Sequence, residues 1–488
     1  MMRRSRWLGF ATVVVTLGAP LAVSLVSTAP ASALPRLAAV HHAVRGDFDG
    51  DGRSDLVAAA AGGRVRVTYT KAKPAGSHAQ WIVAPIGNAF GFGGALAVGD
   101  YNGDGFADLA IGASGFEDGD SNEQGAVFLY DGSSSGLHYT GVVFKGPDEP
   151  DDDNAFGTAL AAGDLNGDGF ADLAVSNPGP NGGGDGEGSV TVMFGSATGV
   201  TTAGQLNVSS IDPVEQGNFG MSVALADVNG DGHKDLIVGE VGGGRRIDQT
   251  FDNAGDIQVF YGNATGLGAN HTMILGGTVG ASGALGSSVA AGDINHDGFA
   301  DIVAGAPDAI VSGKLYAGKV LVLAGGKHGV SAAHSRVFSE ASPHVPGAIA
   351  TRDFFGSALS VGDLTGDRRA EVIVGAPGAR LPKHKSAGAV YVLLGTKAGV
   401  SAVGCRRLTQ ATKGIPGSPI TGAAFGTAVG TFGAAASGRR ALLVGVPGKP
   451  SGGLVLILRL ESSGAVAKHA RVTRDARPGD GFGSHFPA

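Results

Sequence analysis

The sequence holds a single cysteine, Cys405, in 488 residues. That excludes an internal disulfide and leaves stability to another source, with metal ions the first candidate. Aromatic residues are scarce at 6%, whereas glycine reaches 86 residues. Long helices, whose interiors glycine weakens, therefore give way to short strands joined by tight turns. A hydrophobic content of 43% excludes a disordered chain. Positive charge is in deficit: the formal net charge is −7. It falls to about −10 without the three arginines of the first segment, which argues against nucleic-acid binding through phosphates. No segment beyond the first is long and apolar enough to span a bilayer. The chain is too long for one ordinary core, so it holds two or three domains or one repeat architecture. The expectation is an all-β protein.

The first 33 residues read as a secretion signal. Arg3, Arg4 and Arg6 form a basic start, residues 8–26 are mostly apolar, and Ala31-Ser32-Ala33 is a small-residue cleavage pattern. Gly18 and Pro20 weigh against the alternative, a single transmembrane anchor. The arginine pair before Trp7-Leu8 loosely resembles a twin-arginine signal. The expected product is residues 34–488, cut after Ala33, secreted by the Sec or twin-arginine route, with no membrane span.

One pattern recurs. Runs of the form D-x-D/N-G-D-G-x-x-D start at Asp47, Asp100, Asp164, Asp227 and Asp293, giving loops 47–55, 100–108, 164–172, 227–235 and 293–301. A weaker copy occupies 363–371, and a degenerate one, 433–441, is placed by its flanks alone. Eight residues before each start from the second onward stands Phe92, Phe156, Phe219, Leu285, Phe355 or Phe425, each followed by Gly. After each loop comes an apolar run ending in Gly-Ala or Gly-Val and often Pro, as in Val372-Ile373-Val374-Gly375-Ala376-Pro377. Three features in register this often mark an internal repeat. Each unit reads as four short strands, the acidic loop being the turn from first to second. Residues 34–488 divide into seven units of about 65 residues, a propeller-blade length. Phe482-Gly483 opens a further repeat, whereas the first unit has Ala39-Val40 at that place. The C-terminal piece is therefore expected to pair with blade one and close the ring, hiding the edge strands.

Phe-Gly, then an acidic loop, then Gly-Ala-Pro resembles the FG-GAP repeat of the integrin alpha-subunit N-terminal propeller. The resemblance implies a seven-bladed β-propeller of four antiparallel strands per blade, calcium in the blade loops, and extracellular recognition or adhesion.

The loop spacing has a physical reason. In a nine-residue hairpin loop, side chains at positions 1, 3, 5 and 9 can converge on one point, and a carbonyl at position 7 completes an oxygen shell. Ca²⁺ takes six to eight such oxygens, and Gly at position 6 allows the sharp bend. Without a cation the carboxylates repel one another. The expected ligands are Asp47, Asp49, Asp51 and Asp55; Asp100, Asn102, Asp104 and Asp108; and Asp164, Asn166, Asp168 and Asp172. The fourth and fifth loops offer Asp227, Asn229, Asp231 and Asp235, then Asp293, Asn295, Asp297 and Asp301. Five Ca²⁺ sites follow, with a sixth left open at Asp363, Asp367 and Glu371, where Thr365 and Arg368 weaken the set. The seventh, with Gly433, Ala435, Ser437 and Ala441 in the ligand slots, cannot bind through side chains. Strands rather than helices flank these loops and position 9 is not a terminal Glu, which excludes an EF-hand.

Other signals carry less. Arg45-Gly46-Asp47 spells an adhesion tripeptide, but Asp47 is already position 1 of a loop. Gly132-Ser133-Ser134-Ser135-Gly136 matches the hydrolase G-x-S-x-G turn, yet the same slot elsewhere reads Gly195-Ser196-Ala197-Thr198-Gly199, so it is a hairpin. His41-His42 lacks a spaced partner, and Asn207, Asn263 and Asn270 head glycosylation sequons.

The turns between second and third strands are long and differ between blades, as binding loops on a rigid scaffold do. Those of blades two and three carry Glu117, Asp118, Asp120 and Asp185; those of blades four and six carry Arg245, Arg246, Arg380, Lys383, His384 and Lys385. The expected function is a monomeric, non-catalytic extracellular module that binds a protein or glycan. The alternative is a secreted hydrolase of glycan or phospholipid working at the propeller centre, which an orphan carboxylate pair at the ring mouth would favour.

Overall fold

A computed structural model describes residues 46–60, 62–70, 79–117, 124–146, 155–179, 187–213, 217–242, 254–279, 283–434, 438–449, 452–461, 466, 470–474 and 482–487. All belong to one compact unit, Val40–Ala488. The signal segment with its Ala33 cleavage site, His41-His42, Arg45, Asp118, Asp120, Asp185, Arg245, Arg246, Ala435 and Ser437 lie outside the described residues.

The unit is a seven-bladed β-propeller of antiparallel four-stranded blades. Blade two is typical: Ala95–Gly99, Asp108–Ala113, Ala126–Asp131 and His138–Lys145 pair in that order. Second strands are buried along their whole length, as in Asp172–Asn177. Side chains alternate across a strand, so each blade feeds two neighbouring cores. Leu173 and Val175 pack against blade two, while Ala174 packs against blade four. Seven apolar clusters result, one at each blade boundary, and they explain why second strands are apolar runs rather than alternations.

The repeat's glycines sit where backbones touch across those boundaries. The Phe219 backbone bridges in parallel to Gly188, at the start of the preceding blade's third strand. A Cβ at Gly188 would stand 2.2 Å from the Phe219 carbonyl oxygen. At the other end of the motif, a Cβ on Gly112 would stand 2.2 Å from the Gly157 carbonyl oxygen. Only glycine permits such approach. The Phe rings themselves fill the boundary cores, Phe219, Phe355, Phe425 and Phe482 being fully buried.

Ring closure follows the expectation. Blade one supplies Leu56–Ala60, Arg64–Thr68 and Ala79–Val83. Gly483 N–H donates to Ala59 O (2.9 Å), and Ala59 N–H donates to His485 O (3.2 Å). Phe482 bridges to Gly453 as the other motif phenylalanines bridge to theirs, and it packs with Leu56, Ala58, Leu443 and Val455. The C-terminal segment thus begins the inner strand of blade one.

Candidate metal centres

The acidic loops of blades two to six join the first strand to the second, and loop one likewise leads into the strand Leu56–Ala60, so the described loops lie on one face of the ring. Position 1 shapes the loop. The Asp100 carboxylate accepts N–H groups of Gly103 (2.7 Å), Asp104 (3.2 Å) and Gly105 (3.0 Å). Asp164 and Asp227 repeat this, and Asp293 accepts from Asp297 and Gly298. Position 5 carboxylates Asp104, Asp168, Asp231 and Asp297 stay near the surface and each accept the N–H of position 7.

Position 9 has a role that spacing did not reveal. Asp108, Asp172, Asp235 and Asp301 are buried, and each clips two backbones together. Asp172 accepts Leu165 N–H (2.8 Å) from its own loop and Gly195 N–H (2.9 Å) from the next hairpin of the blade. Burial raises these carboxyls: Asp108 to about 8, Asp55 to about 7, and Asp172, Asp235 and Asp301 to about 6. Backbone N–H groups pull the other way, and neighbouring loop acids add to the rise. A dication in the loop would keep such a group ionised.

In the first loop, carboxylate oxygens of Asp47, Asp49 and Asp55 lie within 4.8 Å of one another, as one bound cation requires. Among the described residues this is the one set of three acids gathered so closely. Loops two to five hold Asn at position 3, and its Nδ2 donates to the position 5 carboxylate: Asn102 to Asp104 (3.1 Å), Asn166 to Asp168 (2.9 Å), Asn229 to Asp231 (2.9 Å), Asn295 to Asp297 (2.7 Å). The sixth loop differs in kind. Arg369 forms an ion pair with Asp367, so a guanidinium takes the position 5 carboxylate.

Adjacent loops are tied together. The carbonyl of position 1 accepts an N–H from the next blade's loop: Asp47 from Ala107, Asp100 from Ala171, Asp227 from Ala300, Asp293 from Ala370. Position 7 also covers position 4 of the preceding loop, Phe106 over Gly50, Phe170 over Gly103 and Phe299 over Gly230. Where position 7 is Arg369 instead, position 4 of the preceding loop is His296, held at φ +63°.

The discounted motifs fall as expected. Asp47 is buried and turned into its loop, where it accepts Asp51 and Gly52 N–H groups. Gly132–Gly136 is the hairpin between two strands, closed by Ser133 Oγ donating to Gly136 O (2.8 Å). Two buried acid pairs were not legible in the repeat: Glu240 with Asp256, and Glu340 with Asp353. Neither lines the central cavity of about 470 Å³, which is walled by first-strand residues such as Val98, Ala162, Ala290 and Val361.

The FG-GAP repeat family model matches residues 92–130, 156–193, 219–260, 285–323 and 355–393. The chain is an FG-GAP repeat protein. These matches are blades two to six; blade one draws its Phe-Gly from residues 482–483, and blade seven lacks the acids. The FG-GAP chain is 39% identical to integrin alpha-7 of Rattus norvegicus over 154 residues, 31% of this chain and 13% of that protein. It is 30% identical to integrin alpha-V of Gallus gallus over 242 residues, 46% of this chain and 21% of that one. It therefore spans less than a quarter of either relative's length. Among solved structures, a periplasmic gluconolactonase of Pseudomonas aeruginosa aligns over 87% of this chain and 97% of its own, at 14% identity and TM-score 0.48.

Proposed function

We propose that this FG-GAP propeller is a secreted, calcium-stabilised recognition module with no catalysis of its own. The observation that carries the reading is the convergence of Asp47, Asp49 and Asp55 in a loop whose pattern four further blades repeat. Calcium at positions 1, 3, 5 and 9 of loops one to five would stiffen one face. The longer turns on the opposite face are then free to vary, as recognition loops do. The likeness to integrin alpha subunits supports an extracellular adhesive role. The sixth loop needs no metal, because Arg369 already balances Asp367.

Thermal unfolding in EGTA, followed by a calcium titration, tests this. A site held at 100 times its dissociation constant adds about 2.7 kcal/mol, so melting should rise steeply with calcium. An unchanged melting temperature with no bound metal would overturn the calcium reading.

A further inference from the structure

We propose that the turns of blades five and six, bridged by residues 352–354, form a binding site for an anionic glycan chain. The inference rests on the reading of the propeller as a recognition module.

Three hydrogen bonds knit the two turns into one surface. Arg352 N–H donates to Leu315 O (2.9 Å) and Phe354 N–H to Tyr316 O (3.0 Å), while Gly378 N–H donates to Asp353 O (3.2 Å). The next blade boundary repeats the arrangement with Gly422, Ala423 and Ala424 in place of Arg352, Asp353 and Phe354. Gly422 has φ +74° and Ala424 +54°, so this backbone favours residues with little or no side chain. Between blades five and six it carries Arg352 at φ +64° and Phe354 at +54°, facing Tyr316 at +55°. Bulky residues in this region are strained, and such strain persists where the side chains are used.

What the strain presents is an aromatic pair among cations. The Tyr316 and Phe354 rings lie 6.0 Å apart and tilted by 40°, and Tyr316 is 40% exposed. Lys314, Arg352, Arg380, Lys383 and Lys385 are exposed, and none forms an ion pair among the described residues. The acids of these elements turn inward, Asp353 fully and Asp308 in part. On a chain of net charge −7, this is a local reversal of sign. Aromatic faces accept the C–H faces of sugar rings, and a strip of cations matches acid groups repeated along a polymer. A fluid lipid surface would draw no benefit from so fixed a geometry.

The test is equilibrium binding of the full chain to heparin, which is sulfated, and to alginate, which is carboxylated, with neutral dextran as control. At least one polyanion should bind, more weakly as salt rises, and dextran should not. Comparing the heparin and alginate arms distinguishes sulfate from carboxylate recognition. The double variant Arg352→Gly/Phe354→Ala copies the neighbouring boundary, so it should keep its melting temperature while losing affinity roughly tenfold. Lys383→Ala/Lys385→Ala should do the same from the other turn. Unchanged affinity in both variants, equal binding to dextran, or binding to phosphatidylglycerol vesicles with neither polymer would overturn the site. A retained calcium response without polyanion binding would sink this inference and leave the calcium-stabilised module standing.

Discussion

At the residue scale, one loop asks different things of its acids. Position 5 sits at the surface, where its carboxylate has solvent and an Asn amide as alternatives to a cation. Position 9 is buried and spans two backbone segments through its own hydrogen bonds. Asp172→Ala would strand the N–H groups of Leu165 and Gly195, at about 1–3 kcal/mol each. It should therefore lower the melting temperature even in EGTA. Asp168→Ala should leave the metal-free melting temperature nearly unchanged and remove that loop's share of the calcium response. If calorimetry with and without calcium finds the two variants alike, the division of labour is wrong. The acidic pattern made the candidate ligands legible, but the clip was not, because its partner Gly195 lies 23 residues away in sequence.

At the scale of the element, the link between blades five and six is fastened by a buried acid cluster. Tyr391 Oη donates to the Glu340 carboxylate, and Arg407 Nε donates to Tyr391 Oη (2.9 Å). Burial, together with the facing Asp353 carboxyl, raises Glu340 well above 4.5, while Tyr391 and Arg407 pull it down. A carboxyl raised in the folded state binds its proton more tightly there than in the unfolded chain. Stability is then greatest below pH 4.5 for this group and falls as pH rises toward neutrality. Gln410 occupies the equivalent place at the next boundary, so Glu340→Gln is a substitution the fold already uses. Its melting temperature should vary less between pH 5 and pH 8 than the parent's; parallel pH profiles would refute the assignment. No recurring motif records this cluster: at the next boundary the places of Glu340 and Asp353 hold Gln410 and Ala423.

For the whole molecule, closure is the decisive contact. A propeller with one open boundary exposes two sheet faces and the apolar core between them. Removing residues 482–488 deletes the buried Phe482 ring and both hydrogen bonds to Ala59. The expected loss is about 3–5 kcal/mol, from the aromatic core deletion and the unpaired backbone. Denaturant unfolding should show a lower midpoint, and an unchanged midpoint would mean that blade one holds without its inner strand.

The sequence by itself determined the blade count, the strand order, the acidic loops and the use of Phe482-Gly483 for closure. Each of these is written locally, in a spacing or a dipeptide that recurs in register. Tertiary structure alone decided which carboxylates clip backbones, since Gly132, the partner of Asp108, and Gly195, the partner of Asp172, lie in a later hairpin of the blade. It also set the joined surface of Tyr316, Arg352 and Phe354, whose members come from two separate segments. Such contacts join residues distant in the chain, and beyond the recurring Phe-Gly and Gly-Ala no local pattern records them.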